Sequence, residues 1–208
     1  MNFRAFHRAI APGFFVWVSV AACSSTTAPP KAFVSASIGP SEAFPNDCND
    51  GSTMAILPVG SYDITEALST TNPLRVESGT KQGGIVELSC SVTPSGSGYA
   101  LQLSATIQSN VVTAGGSLVI EGTVQPNVSG STSAGTVSAS FNVAGITYGA
   151  SDCTFTYTFS GAPIAPAGGP VAPGRVWGNV TCNDAATGGG QSYTCKASAD
   201  VVFENCSS

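Results

Sequence analysis

Residues 99–108 read Tyr99-Ala100-Leu101-Gln102-Leu103-Ser104-Ala105-Thr106-Ile107-Gln108, and their alternation decides the fold class. Tyr99, Leu101, Leu103, Ala105 and Ile107 fall on one side of an extended chain, with Gln102, Ser104, Thr106 and Gln108 on the other. A period of two marks a half-buried strand, because successive side chains point to opposite faces of a sheet. The pattern recurs on both sides of this run. Val86, Leu88, Cys90 and Val92 alternate with Glu87, Ser89 and Ser91; Val137, Ala139, Phe141 and Val143 alternate with Thr136, Ser138, Ser140 and Asn142. Cys153, Phe155, Tyr157 and Phe159 are interleaved with threonines, and Tyr193, Cys195, Ala197, Ala199, Val201 and Phe203 with Lys196, Ser198, Asp200 and Glu204. Weaker strands are expected at residues 62–65, 118–124 and 175–182. Gly-rich turns at 95–98, 114–116 and 188–190 separate the runs. Short strands with one apolar face predict an all-β fold, an antiparallel sandwich or partly closed barrel of about eight strands. No helix of three turns is expected.

The N-terminal segment has a different character. Arg4, His7 and Arg8 precede an apolar stretch over residues 9–22, and Val20-Ala21-Ala22-Cys23 closes it. Fourteen residues suit the core of a signal peptide and fall short of the roughly 20 that span a bilayer as a helix. The closing run resembles the lipobox of bacterial lipoproteins. The resemblance implies cleavage before Cys23, a diacylglycerol thioether on its sulfur and acylation of its new amino group. Two or more chains anchor stably where one does not. Ser24, rather than Asp, follows the cysteine, which in that family implies sorting to the outer membrane. The expected organisation is a signal peptide over 1–22, the lipidated Cys23 with a Ser/Thr/Ala/Pro-rich tether over 23–47, and one β domain over 48–208. Residues 33–38 inside the tether could form a short strand.

Cleavage leaves 186 residues, enough for one domain with its own core. It also leaves five basic residues against twelve acidic, a net charge of −7. That balance argues against nucleic acid, which requires a basic footprint, and against electrostatic docking on anionic lipid. His7, the single histidine, leaves with the leader. The processed chain therefore lacks the base of Ser-His-Asp and Cys-His systems and the commonest zinc ligand. No cofactor is expected.

With Cys23 set aside, Cys48, Cys90, Cys153, Cys182, Cys195 and Cys206 remain. An even number in an exported chain predicts three disulfides, and six cysteines allow fifteen connectivities. Cys182 and Cys195 flank the 188–190 turn and are expected to pair. For the other four the alternatives stay open, with Cys48–Cys90 and Cys153–Cys206 adopted.

The candidate sites are few. Asp47 and Asp50 flank Cys48 in an Asn/Asp-rich run that offers oxygen ligands for calcium, but EF-hand spacing fails and Asx turns use the same residues. Asp63 with Glu66, or Asp200 with Glu204, would be the acids of a carboxylate-based hydrolase. Trp177, the one tryptophan of the processed chain, would stack on a sugar or partner if exposed, or pack between sheets. The loop over 160–174 is long and rich in Pro and Gly, and is either an ordered connection or a functional loop. Arg75 and Lys81 place two cations in the polar stretch 69–84.

Asp152-Cys153-Thr154, Gly174-Arg175-Val176-Trp177-Gly178, Cys182 and Val202-Phe203-Glu204-Asn205-Cys206 resemble a group of cysteine-rich predicted lipoproteins of soil bacteria. Taken with Cys48 and Cys90, the resemblance spans roughly residues 48–206. These are framework residues, so the resemblance implies no activity. The expectation is a lipid-anchored envelope protein acting as an interaction or structural module, with an envelope protein or glycan as partner. A carrier of a small apolar ligand inside the β domain is the alternative, and a hydrolase stands third.

Overall fold

The computed structural model describes residues 28–41, 48, 53–56, 76–81, 84–109, 116–143, 145–164, 166–188 and 194–208. Every regular element among them is a strand: β1 (Lys31–Pro40), β2 (Thr53–Ile56), β3 (Val76–Glu77), β4 (Gly79–Lys81), β5 (Gly84–Ser95), β6 (Gly98–Ser109), β7 (Gly116–Val124), β8 (Ser133–Val143), β9 (Ile146–Thr156), β10 (Thr158–Phe159), β11 (Ala162–Pro163), β12 (Val171–Ala172), β13 (Arg175–Thr187) and β14 (Thr194–Glu204). Eight long strands lie side by side in the order β5-β6-β7-β8-β9-β13-β14-β1, all antiparallel, and curl into a half-barrel. The short strands β2 and β4 extend its two ends. Of the two expected architectures, the partly closed barrel is the one that forms.

The alternation seen in the sequence sets the two faces. Register lines up Cys90, Leu103, Ile120 and Ala139 across four strands, all on the concave side. Leu101, Leu118, Phe141, Phe155 and Phe203 join them there, each almost wholly buried. The convex side carries Ser, Thr, Gln and Glu. Register shifts between β8 and β9, and between Cys182 and Ala185 on β13, mark bulges. Bulges sharpen twist and bend strands, which helps a single sheet fold over its own core.

The C-terminus closes one end of the seam. The Val92 amide donates to Ser207 O at 2.9 Å and the Ser207 amide to Cys90 O at 3.0 Å. Gly174 N in turn donates to Val92 O, and Cys206 N to Gly174 O. The tail thus occupies part of the outer edge of β5, a strand edge that would otherwise present unpaired backbone groups.

Three expectations need correction. The disulfides are Cys48–Cys195, Cys90–Cys206 and Cys153–Cys182. Cys182 and Cys195 do sit on adjacent strands, but Cys182 faces Ala197 and Cys195 faces Ala185. On its other side Cys182 meets Cys153 of β9, with Cα atoms 4.3 Å apart. The tether also ends earlier than residue 47. Lys31–Pro40 pairs with β14 along its whole length, burying Ala32, Val34, Ala36 and Ile38 in the core. Finally, the strand expected through Phe159 breaks at Tyr157. Its amide donates to Gly130 O, its carbonyl accepts from Ile164 N, and its hydroxyl donates to Gln125 O at 2.7 Å. The expected strand at 62–65 lies outside the described residues.

That break turns Phe159 onto the convex side, where a second, smaller core forms. Phe33, Val202 and Trp177 are register neighbours on β1, β14 and β13, and all three are buried. Phe159 stacks on Trp177, with ring centroids 6.4 Å apart. The connection 160–174 covers this patch, starting from a hairpin whose turn residues Ser160 and Gly161 both have positive φ, as a type I′ turn requires. Arg175 Nη2 donates to the carbonyls of Ala167 and Gly169 at 2.7 and 2.6 Å and ties the loop down. The long Pro/Gly stretch is therefore a packed cover.

Candidate functional site

The convex face of β9, β13, β14 and β1 carries a grid of polar side chains. One row reads Thr156, Asn179, Asp200 and Ser35, each opposite the next in register. The row beside it reads Thr154, Thr181, Ser198 and Ser37, continued on β8 by Thr136. Asp152, Asn183 and Lys196 occupy the next outward positions along their strands, and all three are exposed. Strand spacing sets neighbours in a row about 4.8 Å apart, and two-residue steps set rows about 6.7 Å apart.

Hydrogen bonds organise the centre. Asn179 Nδ2 donates to Asp200 Oδ1 at 2.8 Å and to Ser198 Oγ at 3.1 Å. Its Oδ1 accepts from Thr181 Oγ1 at 2.8 Å. Thr156 and Thr158 share a hydroxyl–hydroxyl bond of 2.9 Å at the border of the covered patch. Asp200 is 7 % exposed. Besides Asn179 it accepts from the Ser160 amide at 3.2 Å and the Ser160 hydroxyl at 3.3 Å. Burial pushes its carboxyl above the ordinary carboxylate range, against the opposing pull of the Asn179 and Ser160 hydrogen bonds. A depression of about 190 Å³ lies at the Lys196 end, lined by Ser37, Ile38, Gly39, Pro40, Lys196 and Ser198.

This arrangement suits recognition of a polar partner by many modest hydrogen bonds. It does not suit the hydrolase chemistry considered for Asp200 with Glu204. These residues lie four positions apart on one strand, about 13 Å along its axis, whereas paired glycosidase carboxylates stand within roughly 10 Å. Glu204 also accepts from Trp177 Nε1 at 3.1 Å. Trp177, at 3 % exposure, is a packing residue and offers no stacking platform at the surface. Cys48 is consumed by its disulfide, while Asp47 and Asp50, like Cys23, Asp63, Glu66 and Arg75, lie outside the described residues. The concave side is lined by Leu and Phe as well as by the small residues on which a carrier cavity would depend.

Sequence reasoning named Asp200 but set it in the wrong partnership. Its signal was an acid in mid-strand between Ala199 and Val201, where Asp is depleted. No family model, curated protein or solved structure matches this chain.

Proposed function

We propose that the protein is a lipid-anchored interaction module of the bacterial envelope, held by acyl chains on Cys23 and presenting the Asn179–Asp200 grid to a polar partner, an envelope protein or a glycan. The grid carries the recognition half of this reading: two adjacent rows of hydroxyl, amide and carboxylate groups, internally hydrogen-bonded, on one sheet face. The lipobox run carries the anchoring half, and its Ser24 favours the outer membrane.

Two measurements on intact cells test the halves separately. Cys23→Ala should abolish palmitate labelling and release the protein from membranes; retained labelling overturns the anchor. Cross-linking followed by mass spectrometry should recover a partner or glycan with the native chain and lose it with Thr154→Lys/Ser37→Lys, which leaves labelling intact. Unchanged cross-links in that variant overturn the grid as the working surface.

A further inference from the structure

We propose that the end of the half-barrel formed by the turns at 95–98 and 125–132 and the 160–174 cover faces the headgroup surface of the membrane that holds Cys23. This rests on the anchoring reading above. It follows from how little chain precedes the fold and where that chain enters it.

Among the described residues, Pro29 is the first that is pinned: its carbonyl accepts from Asn205 Nδ2 at 3.0 Å, next to the start of β1 and the end of β14. Only six residue steps separate it from Cys23, a reach of at most about 22 Å even fully extended. A tether running to residue 47 would have allowed about 80 Å and any orientation. The antiparallel order places the end of β5, the start of β6, the end of β7, the start of β8, the end of β9 and the start of β13 at this same end. The opposite end carries the β8–β9 turn. β8 alone has 11 residues, about 34 Å of strand. The short lead thus draws one end toward the lipid and leaves the other remote.

The chemistry of the near end is compatible with close approach. Residues 95–98, 125–132 and 160–174 contain no Asp, Glu, Lys or Arg, so they bring no charge to be repelled by or stripped of water at the headgroups. At the rim, Lys31 pairs with Glu77 at 3.2 Å, and the one cation at the start of β13, Arg175, is engaged by the Ala167 and Gly169 carbonyls of the cover. In this orientation the grid looks sideways, and its Asp152–Asn183–Lys196 row is the part furthest from the bilayer.

The test uses the full-length lipidated chain reconstituted in phosphatidylcholine vesicles that contain a headgroup-spin-labelled lipid. A fluorescent unnatural residue is placed at Ser129, in the near-end turn, or at Ile146, in the far-end turn; both sites are exposed, and no new cysteine is introduced. The probe at Ser129 should be quenched severalfold more than the probe at Ile146. A Gly/Ser insert of about twenty residues between Thr27 and Ala28 should erase the difference without affecting flotation with the vesicles. Equal quenching at the two sites, stronger quenching at Ile146, or a difference that survives the insert overturns the orientation. Failure of the native chain to float with vesicles or take up palmitate overturns the anchor, and the orientation with it.

Discussion

The ring of Phe155 lies across the inner face of Gly178. A Cβ on Gly178 would stand 2.6 Å from Phe155 Cζ and 2.5 Å from the carbonyl oxygen of Thr156. One obstacle is a fully buried ring and the other is backbone of the adjacent strand, so neither can move aside cheaply. Gly178→Ala is therefore expected to destabilise the domain by about 1–3 kcal/mol, the range for overpacking a core. Urea denaturation reads this directly. A midpoint equal to that of the native chain would mean that the ring does not occupy this space.

The disulfide pattern gives a second expectation. Peptide mapping of the non-reduced protein should find Cys48–Cys195, Cys90–Cys206 and Cys153–Cys182. Cys90–Cys206 spans 116 residues and joins the edge of β5 to the C-terminal tail. Replacing both cysteines by Ala should cost about 4 kcal/mol, chiefly by freeing the unfolded chain. It should also raise amide exchange at Val92 and Ser207, which hold the seam together. Recovery of a Cys182–Cys195 peptide would contradict the β9–β13–β14 register.

The contrast between strands and bridges shows what was legible in the sequence. Alternation at 99–108 and 137–143 reports only which side of a strand meets the core, and that local signal held. Pairing is a relation between strands: nothing near Cys182 in sequence announces that β9 flanks β13 on the side away from β14. The first strand was obscured for another reason. Its Ser35, Ala36, Ser37 and Gly39 share the composition of the low-charge stretch around them, so Phe33, Val34 and Ile38 read as a small island in a tether. The grid was hidden by abundance. Thr and Ser occupy outward positions on nearly every strand, and only register brings Thr154, Thr181, Ser198 and Ser37 into one line.

Asp200 should leave a mark on the pH dependence of stability. Its folded-state carboxyl titrates above the ordinary value of 3.8, mainly through burial. The folded protein thus holds this proton more tightly than the unfolded chain does. The contribution of Asp200 to stability is accordingly greatest in acid, falls as pH rises from the ordinary value through the raised one, and levels off above it. Asp200→Asn keeps an oxygen to accept from Asn179 and Ser160 but cannot ionise. Its stability relative to the native chain should therefore increase with pH across that window and stay constant at neutral pH. Urea midpoints at several pH values check this; a difference that shrinks with rising pH would show that the hydrogen bonds outweigh burial. Asp200→Ala leaves the Ser160 amide and the Asn179 side chain without this acceptor and should cost about 1–3 kcal/mol in acid, and less as pH rises through that window.

The cover over Trp177 can be opened from one side chain. Phe159 is 1 % exposed and lies stacked on the indole, at the start of the hairpin that Asp200 holds through Ser160. The sequence has two tryptophans, Trp17 and Trp177, so in a chain that begins at Cys23 the fluorescence reports on this patch without interference. In the native protein acrylamide should quench it poorly. Phe159→Ala should cost about 3–5 kcal/mol, shift the emission to the red and increase quenching under conditions where the protein remains folded. Phe141→Ala supplies the control. Phe141 is equally buried, but it lies on the concave face of β8, paired with Leu118 and Tyr148. Its truncation should lower stability by a similar amount and leave quenching of the folded state unchanged. If the two variants quench alike, the indole is protected by the global fold and not by the 160–174 cover.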